Sequence, residues 1–236
     1  MAAVTLIPVP LLLYLVPKDQ PHVVGGTKAA AARIGATART GRIWIAGFAF
    51  GCYTIQWMAV VGFLPTIYQQ SGLTGTHPGI LSAIVGGLNG VGAVLTGLLL
   101  QRGAAPKILL FVSFTTMAVT SFLAFAIDWA PISGGVAWQV TCVAAFSFIG
   151  AMIPATLTRM AVDLAPTGGS APAAMGLMQQ IFNFGNFTGP MIVAWLAMIT
   201  GGWTSTWWMT CGFAALGIIL SVVLVGRRDS VNFTRS

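Results

Sequence analysis

Six apolar stretches, each about the 20 residues a helix needs to cross a hydrocarbon core, constrain this chain more than any other feature. They cover about residues 43–68, 79–100, 108–127, 135–157, 173–199 and 206–226, with short polar, Pro- or Gly-containing turns between them. No domain linker interrupts the series, so it predicts one all-α, six-helix transmembrane bundle. Charge agrees with this, because only 6% of residues are charged, against about 25% in a soluble domain whose surface faces water. Mean hydropathy is +0.87. Glutamate is absent, and 29 glycines suit helices packed closely in a bilayer.

The few charges are placed in order. All eleven Lys and Arg fall in alternate connections. Lys18, Lys28, Arg33, Arg39 and Arg42 precede the first span, Arg102 and Lys107 follow the second, Arg159 follows the fourth, and Arg227, Arg228 and Arg235 follow the sixth. The positive-inside rule puts these connections in the cytoplasm, as expected for a multi-pass protein of a bacterial inner membrane. Residues 18–42 then form a basic cytoplasmic loop and residues 227–236 a cytoplasmic tail. Trp129, Trp203, Trp207 and Trp208 lie at the opposite ends, where indoles anchor at the interface. The net charge of +7 thus reports topology and a lipid bilayer as partner, and no nucleic-acid partner is implied. Residues 1–17 are apolar but broken by Pro8, Pro10 and Pro17. They lack the basic start of a secretory signal and read as the end of a truncated transmembrane helix.

Catalytic chemistry has little to work with. Four Asp and two His are the proton carriers, and all six sit in connections or at span ends. HExxH, GxSxG and P-loop patterns are missing, and Cys52, Cys142 and Cys211 are too scattered to ligate a metal. The expectation is a protein that is not an enzyme and needs no cofactor.

The spans carry uncharged polar residues in helical register instead. At about 100° per residue, Ser82, Asn89 and Thr96 share a stripe of the second span, and Gln179, Asn183 and Asn186 one of the fifth. Tyr53, Gln56 and Trp57 share a side of the first span, and Gln139, Phe146 and Gly150 one of the fourth. An amide in hydrocarbon must find a partner or face a wet cavity. One reading is a solute path shared by spans one, two, four and five, with Tyr53, Gln56, Asn89, Gln139, Gln179 and Asn183 binding the solute. The other is interhelical hydrogen bonding. Spans three and six carry few polar groups besides hydroxyls and are expected to face lipid. The pattern is three plus three, as in an inverted repeat. Gly86, Gly90 and Gly97 are expected to support close packing in the second span, Gly185 and Gly189 before Pro190 in the fifth, and Pro154 to kink the fourth.

This arrangement resembles the C-terminal six helices of the major facilitator superfamily over nearly the whole chain. Gly97-Leu98-Leu99-Leu100-Gln101-Arg102-Gly103 with Lys107 is similar to that family's GxLxDRxGRR signature, with Gln101 in place of its aspartate. Gly185 to Pro190 resembles its GxxxGP element. The resemblance implies helices seven to twelve, the end of helix six, and gating or structural roles for Arg102, Gly185, Gly189 and Pro190. It also implies a missing N-terminal half, on the same full-length chain or a second one. Phe63-Leu64-Pro65-Thr66 and Ala174-Met175-Gly176 before Gln179 resemble the cyanate and nitroimidazole transporter branch, which points to a small solute, anions included. The implied function is alternating-access secondary transport by a truncated half-transporter. A non-transporting membrane scaffold or assembly subunit is the alternative.

Overall fold

The structure is a computed structural model that describes residues 26–70, 73–129 and 131–232. Residues 1–17, read above as a truncated helix, lie outside the described residues.

A short helix, α1 (Thr27–Ala38), precedes the membrane spans. The first span is α2 (Gly41–Val61) continued by α3 (Leu64–Gln70), and the second is α4 (His77–Gln101). The third is α5 (Pro106–Phe125), and the fourth joins α6 (Gly135–Gly150) to α7 (Met152–Leu164). α8 (Ala171–Thr200) is the fifth; a 3-10 turn at Trp203–Ser205 leads into the sixth, α9 (Thr206–Asn232). Six of these units are long and apolar enough to cross a membrane, and no strand occurs among the described residues.

Proline sets both the starts and the breaks. Pro78, Pro106 and Pro172 stand in the first turns of their helices, where a missing N–H costs nothing. Ser170 caps α8 by accepting from the Ala173 N–H at 3.3 Å. Pro65 and Pro154 lie inside their spans and cannot bond to the carbonyls of Val61 and Gly150, four residues back. The helix breaks at those points, between α2 and α3 and at Ala151. The fourth span is therefore two rods. Pro190 is carried within the continuous α8. Gly103 and Gly201, both at positive φ, end the second and fifth spans in a conformation that other residues rarely adopt.

Packing grades the spans. The first lies at the centre, against the fifth, the sixth and the α7 half of the fourth. The third packs on the fourth and sixth, and the second on the fourth. Buried residues make up 61% of the first span's apolar stretch, but only 17% in both the second and the fifth. Phe114, Met117, Phe146, Leu157 and Met178 fill the core. The third and sixth spans, expected to face lipid, present exposed Phe111, Val119, Phe122, Ile219 and Val222, yet they are more buried than the second and fifth. A hydropathy pattern gives each helix its own preference, and neighbours decide how much surface remains.

Backbone approach is closest where glycine permits it. A Cβ at Gly189 would stand 2.6 Å from the Ile55 carbonyl oxygen, and one at Gly185 would strike the Thr54 methyl. The GxxxG step thus seats the fifth span on the first. In the second span the seat is Gly92, against the Phe148 carbonyl of the fourth. Gly86, Gly90 and Gly97 have nothing within 4 Å of a built Cβ, so they support no close packing inside this bundle.

Candidate functional site

The polar residues of the spans divide into an interior network and an open face. The network centres on Ser147, a residue the stripe pattern does not single out. Its hydroxyl donates to the Val85 carbonyl at 2.9 Å and accepts from Trp57 Nε1 at 3.1 Å. The Ser147 carbonyl accepts from Asn89 Nδ2 at 2.8 Å, and the same amide nitrogen donates to Tyr53 Oη at 3.1 Å. Spans one, two and four are thereby joined at one depth. In hydrocarbon, where water cannot compete, such bonds fix which faces of the helices meet.

Gln56 lies beside this network on the same helix face and is fully buried. Its Nε2 donates to the Cys52 carbonyl one turn back at 2.8 Å, while its Oε1 has no hydrogen-bond partner. Ser82 and Thr96 donate to carbonyls of their own helix. Asn186 leaves the fifth-span stripe inward, its Oδ1 accepting from the Thr54 hydroxyl of the first span. Thr54 carries no sequence signal, because a threonine in an apolar helix bonds back to its own backbone as readily as across to a neighbour.

Gln179 and Asn183 behave differently. Both are exposed, on the side of α8 turned away from the bundle, next to Gln180. On the same exposed surface, farther along the helix, stand Phe184, Phe187, Met191 and Trp195, which are wholly apolar or nearly so. The open side of α8 thus carries a short amide strip, Gln179 and Asn183, beside a longer aromatic strip on whose line Gln180 falls. The second span's open side is apolar and glycine-rich, with Ile80, Ile84, Val91 and Val94 exposed.

Gln139 belongs to neither group. It stands at the start of the fourth span, its Nε2 donating to the Ala124 carbonyl at 3.2 Å, and it lines a cavity at the tryptophan-bearing end. The sequence-derived residues are therefore not one constellation. Tyr53, Gln56 and Asn89 come together, Gln179 and Asn183 form a second set, and Gln139 lies apart.

The basic end is tied differently. Arg102 is exposed and closes α4, its backbone N–H donating to the Leu98 carbonyl. Arg159 and Asp163 form an exposed pair at 3.6 Å, an i,i+4 contact of about 0.3–0.5 kcal/mol. Thr37 of α1 accepts from the Ser170 N–H at 2.9 Å, and Trp44 Nε1 donates to the Ala38 carbonyl at 2.7 Å. α1 is thus pinned across the entrance to the first and fifth spans. Among the described residues no group of three His, Cys, Asp or Glu stands close enough to hold a metal ion.

The family model described as Major Facilitator Superfamily matches residues 46–234, from early in the first span to just past the last described residue, Asn232. No curated protein matches the chain.

Proposed function

Because the chain belongs to the Major Facilitator Superfamily, whose members are secondary transporters, we propose that it moves a small solute across a bacterial inner membrane along the amide strip of the fifth span. Secondary transport of a solute is what membership implies. The observation that carries the proposed path is the exposure of Gln179 and Asn183 within a membrane-crossing helix. An unpartnered amide facing lipid is costly, by about 1–3 kcal/mol on protein mutational scales. That cost vanishes if the strip faces a wet path.

In this reading Gln179 and Asn183 meet the solute, since their amides offer both donors and acceptors to a small anion or polar molecule. Tyr53 and Asn89 stiffen the wall behind them, and Gln56 adds an unused carbonyl oxygen in the same layer. The open faces of the second and fifth spans pack against a second six-helix half, on the same chain or another. The two halves then rock about the solute to expose it to either side. The basic connections face the cytoplasm, as their Lys and Arg content favours. No carboxylate or histidine lies in the middle of a span, so a proton-driven cycle takes its titrating group from the partner half; without one there, the carrier is a uniporter or exchanger.

The scaffold alternative has one observation in its favour: the Tyr53, Trp57, Asn89 and Ser147 network is bonded internally. Uptake of a panel of small anions and neutral solutes into vesicles from membranes holding the assembled carrier separates the readings. Asn183→Leu should reduce uptake of the transported solute at least tenfold, as for loss of about 1.4 kcal/mol or more of solute binding, with membrane insertion intact. Unchanged uptake would remove the amide strip from the path.

A further inference from the structure

The cavity at the tryptophan-bearing end has a chemistry of its own. It occupies about 330 Å³ between the ends of the first and third spans, the start of the fourth and the turn before the sixth. That volume is at the small end of the range for ligand sites, about 300–1,000 Å³. Phe125 is buried at its floor, while Gln70 and Asp128 stand exposed at its rim with Gln139 beside them. Two indoles complete the wall. Trp203 is held against the Phe63 ring at 4.9 Å between centroids, and Trp129 is held by its Nε1 donating to the Leu123 carbonyl at 3.1 Å.

Charge separates this site from the amide strip. The three connections at this end carry no Lys or Arg, and their ionisable side chains are Asp128 and His77. Asp128 has a partner within the protein and stands exposed at the rim, where it brings a carboxylate to the cavity. A carboxylate, two indoles and an apolar floor together match a small organic cation. Its charge would lie by the carboxylate and over the rings, and its alkyl groups against Phe125. An anion would meet the carboxylate and find no cationic side chain in these connections.

The geometry points to a binding site for a small alkylammonium group in this cavity, separate from the solute path of the fifth span. Two sources could supply that group: a free amine cation in the aqueous phase, or the ammonium of a phosphatidylethanolamine headgroup at the interface where the indoles sit. The site binds the group without reacting with it. Its position at the mouth of the bundle, across three inter-span connections, lets occupancy brace the ends of the first, third and fourth spans against one another.

Saturation-transfer NMR of tetramethylammonium tests the assignment on the protein in phosphatidylglycerol nanodiscs, with tert-butanol as a neutral probe of similar shape. A saturable tetramethylammonium signal is expected, with tert-butanol giving none. Asp128→Asn should weaken it about tenfold and Trp203→Leu by a smaller factor, while Asp128→Glu retains it. Size-exclusion profiles identify any variant that fails to assemble; the neutral-probe comparison, made on the unaltered protein, then still decides the matter. With phosphatidylethanolamine in the disc, a weaker apparent affinity identifies the headgroup as a competing occupant, and an unchanged one identifies the free cation; either supports the site. Equal binding of both probes, or a folded Asp128→Asn that binds as the unaltered protein does, would overturn it. Asn183→Leu should leave this signal unchanged, so the site and the solute path can fail separately.

Discussion

Asn89 and Asn183 are the same side chain on two spans of one bundle, the second and the fifth, and they meet opposite fates. Asn89 faces inward and spends its amide nitrogen on Tyr53 and on the Ser147 carbonyl. Asn183 faces outward, with no residue of the bundle covering it. The first arrangement is a joint, which holds three helices in register. The second is a surface waiting for something polar, because a hydrocarbon neighbour would leave the amide unsatisfied. A polar stripe is thus two different things according to which side of its helix the neighbours occupy.

The comparison can be broken most severely at the glycine seats. Gly189→Val should cost about 1–3 kcal/mol or more, because the new side chain meets Ile55 backbone, which cannot swing aside. A fall in the thermal midpoint of the detergent-solubilised protein reads this effect. Gly90→Val, over open space, should cost far less; equal losses would mean that the second span's open face is already covered. Next comes the joint itself. Asn89→Leu removes two interhelical bonds and should lower stability by about 1–2 kcal/mol. Asn183→Leu should change the stability of the same preparation by less than about 0.5 kcal/mol, so a loss equal to that of Asn89→Leu would make Asn183 a joint as well. The smallest effect belongs to the exposed Arg159–Asp163 pair: Asp163→Asn should shift stability by no more than about 0.5 kcal/mol.

Much of the architecture is legible in the sequence because lipid imposes a length and a polarity on every crossing. The six spans follow from that rule alone, and the Gly185–Gly189 step announces the contact it makes. Pro154 announces the break in the fourth span, while the one at Pro65 goes unread because the first stretch is continuous by hydropathy. The stripes mark which residues are polar on one side. What they leave open is the partner. Asn186 shares a stripe with Asn183 yet turns to Thr54, and Gln139 ends in a cavity far along the bundle from Asn89. Ser147, the hub of the network, is invisible because a serine's one hydroxyl gives no periodic signal. Partnership between helices is a property of crossing geometry, which local periodicity does not encode.

Water contact at position 183 is the claim from which the rest follows. With Cys52, Cys142 and Cys211 replaced, single cysteines at Asn183 and at Phe184 sit at nearly the same depth on the amide and aromatic strips of one helix. A membrane-impermeant, cationic thiol reagent, applied to the assembled carrier in its membrane, should modify Asn183→Cys at least about tenfold faster than Phe184→Cys. Equally slow modification of both would place the amide strip against lipid or protein and contradict the proposed path.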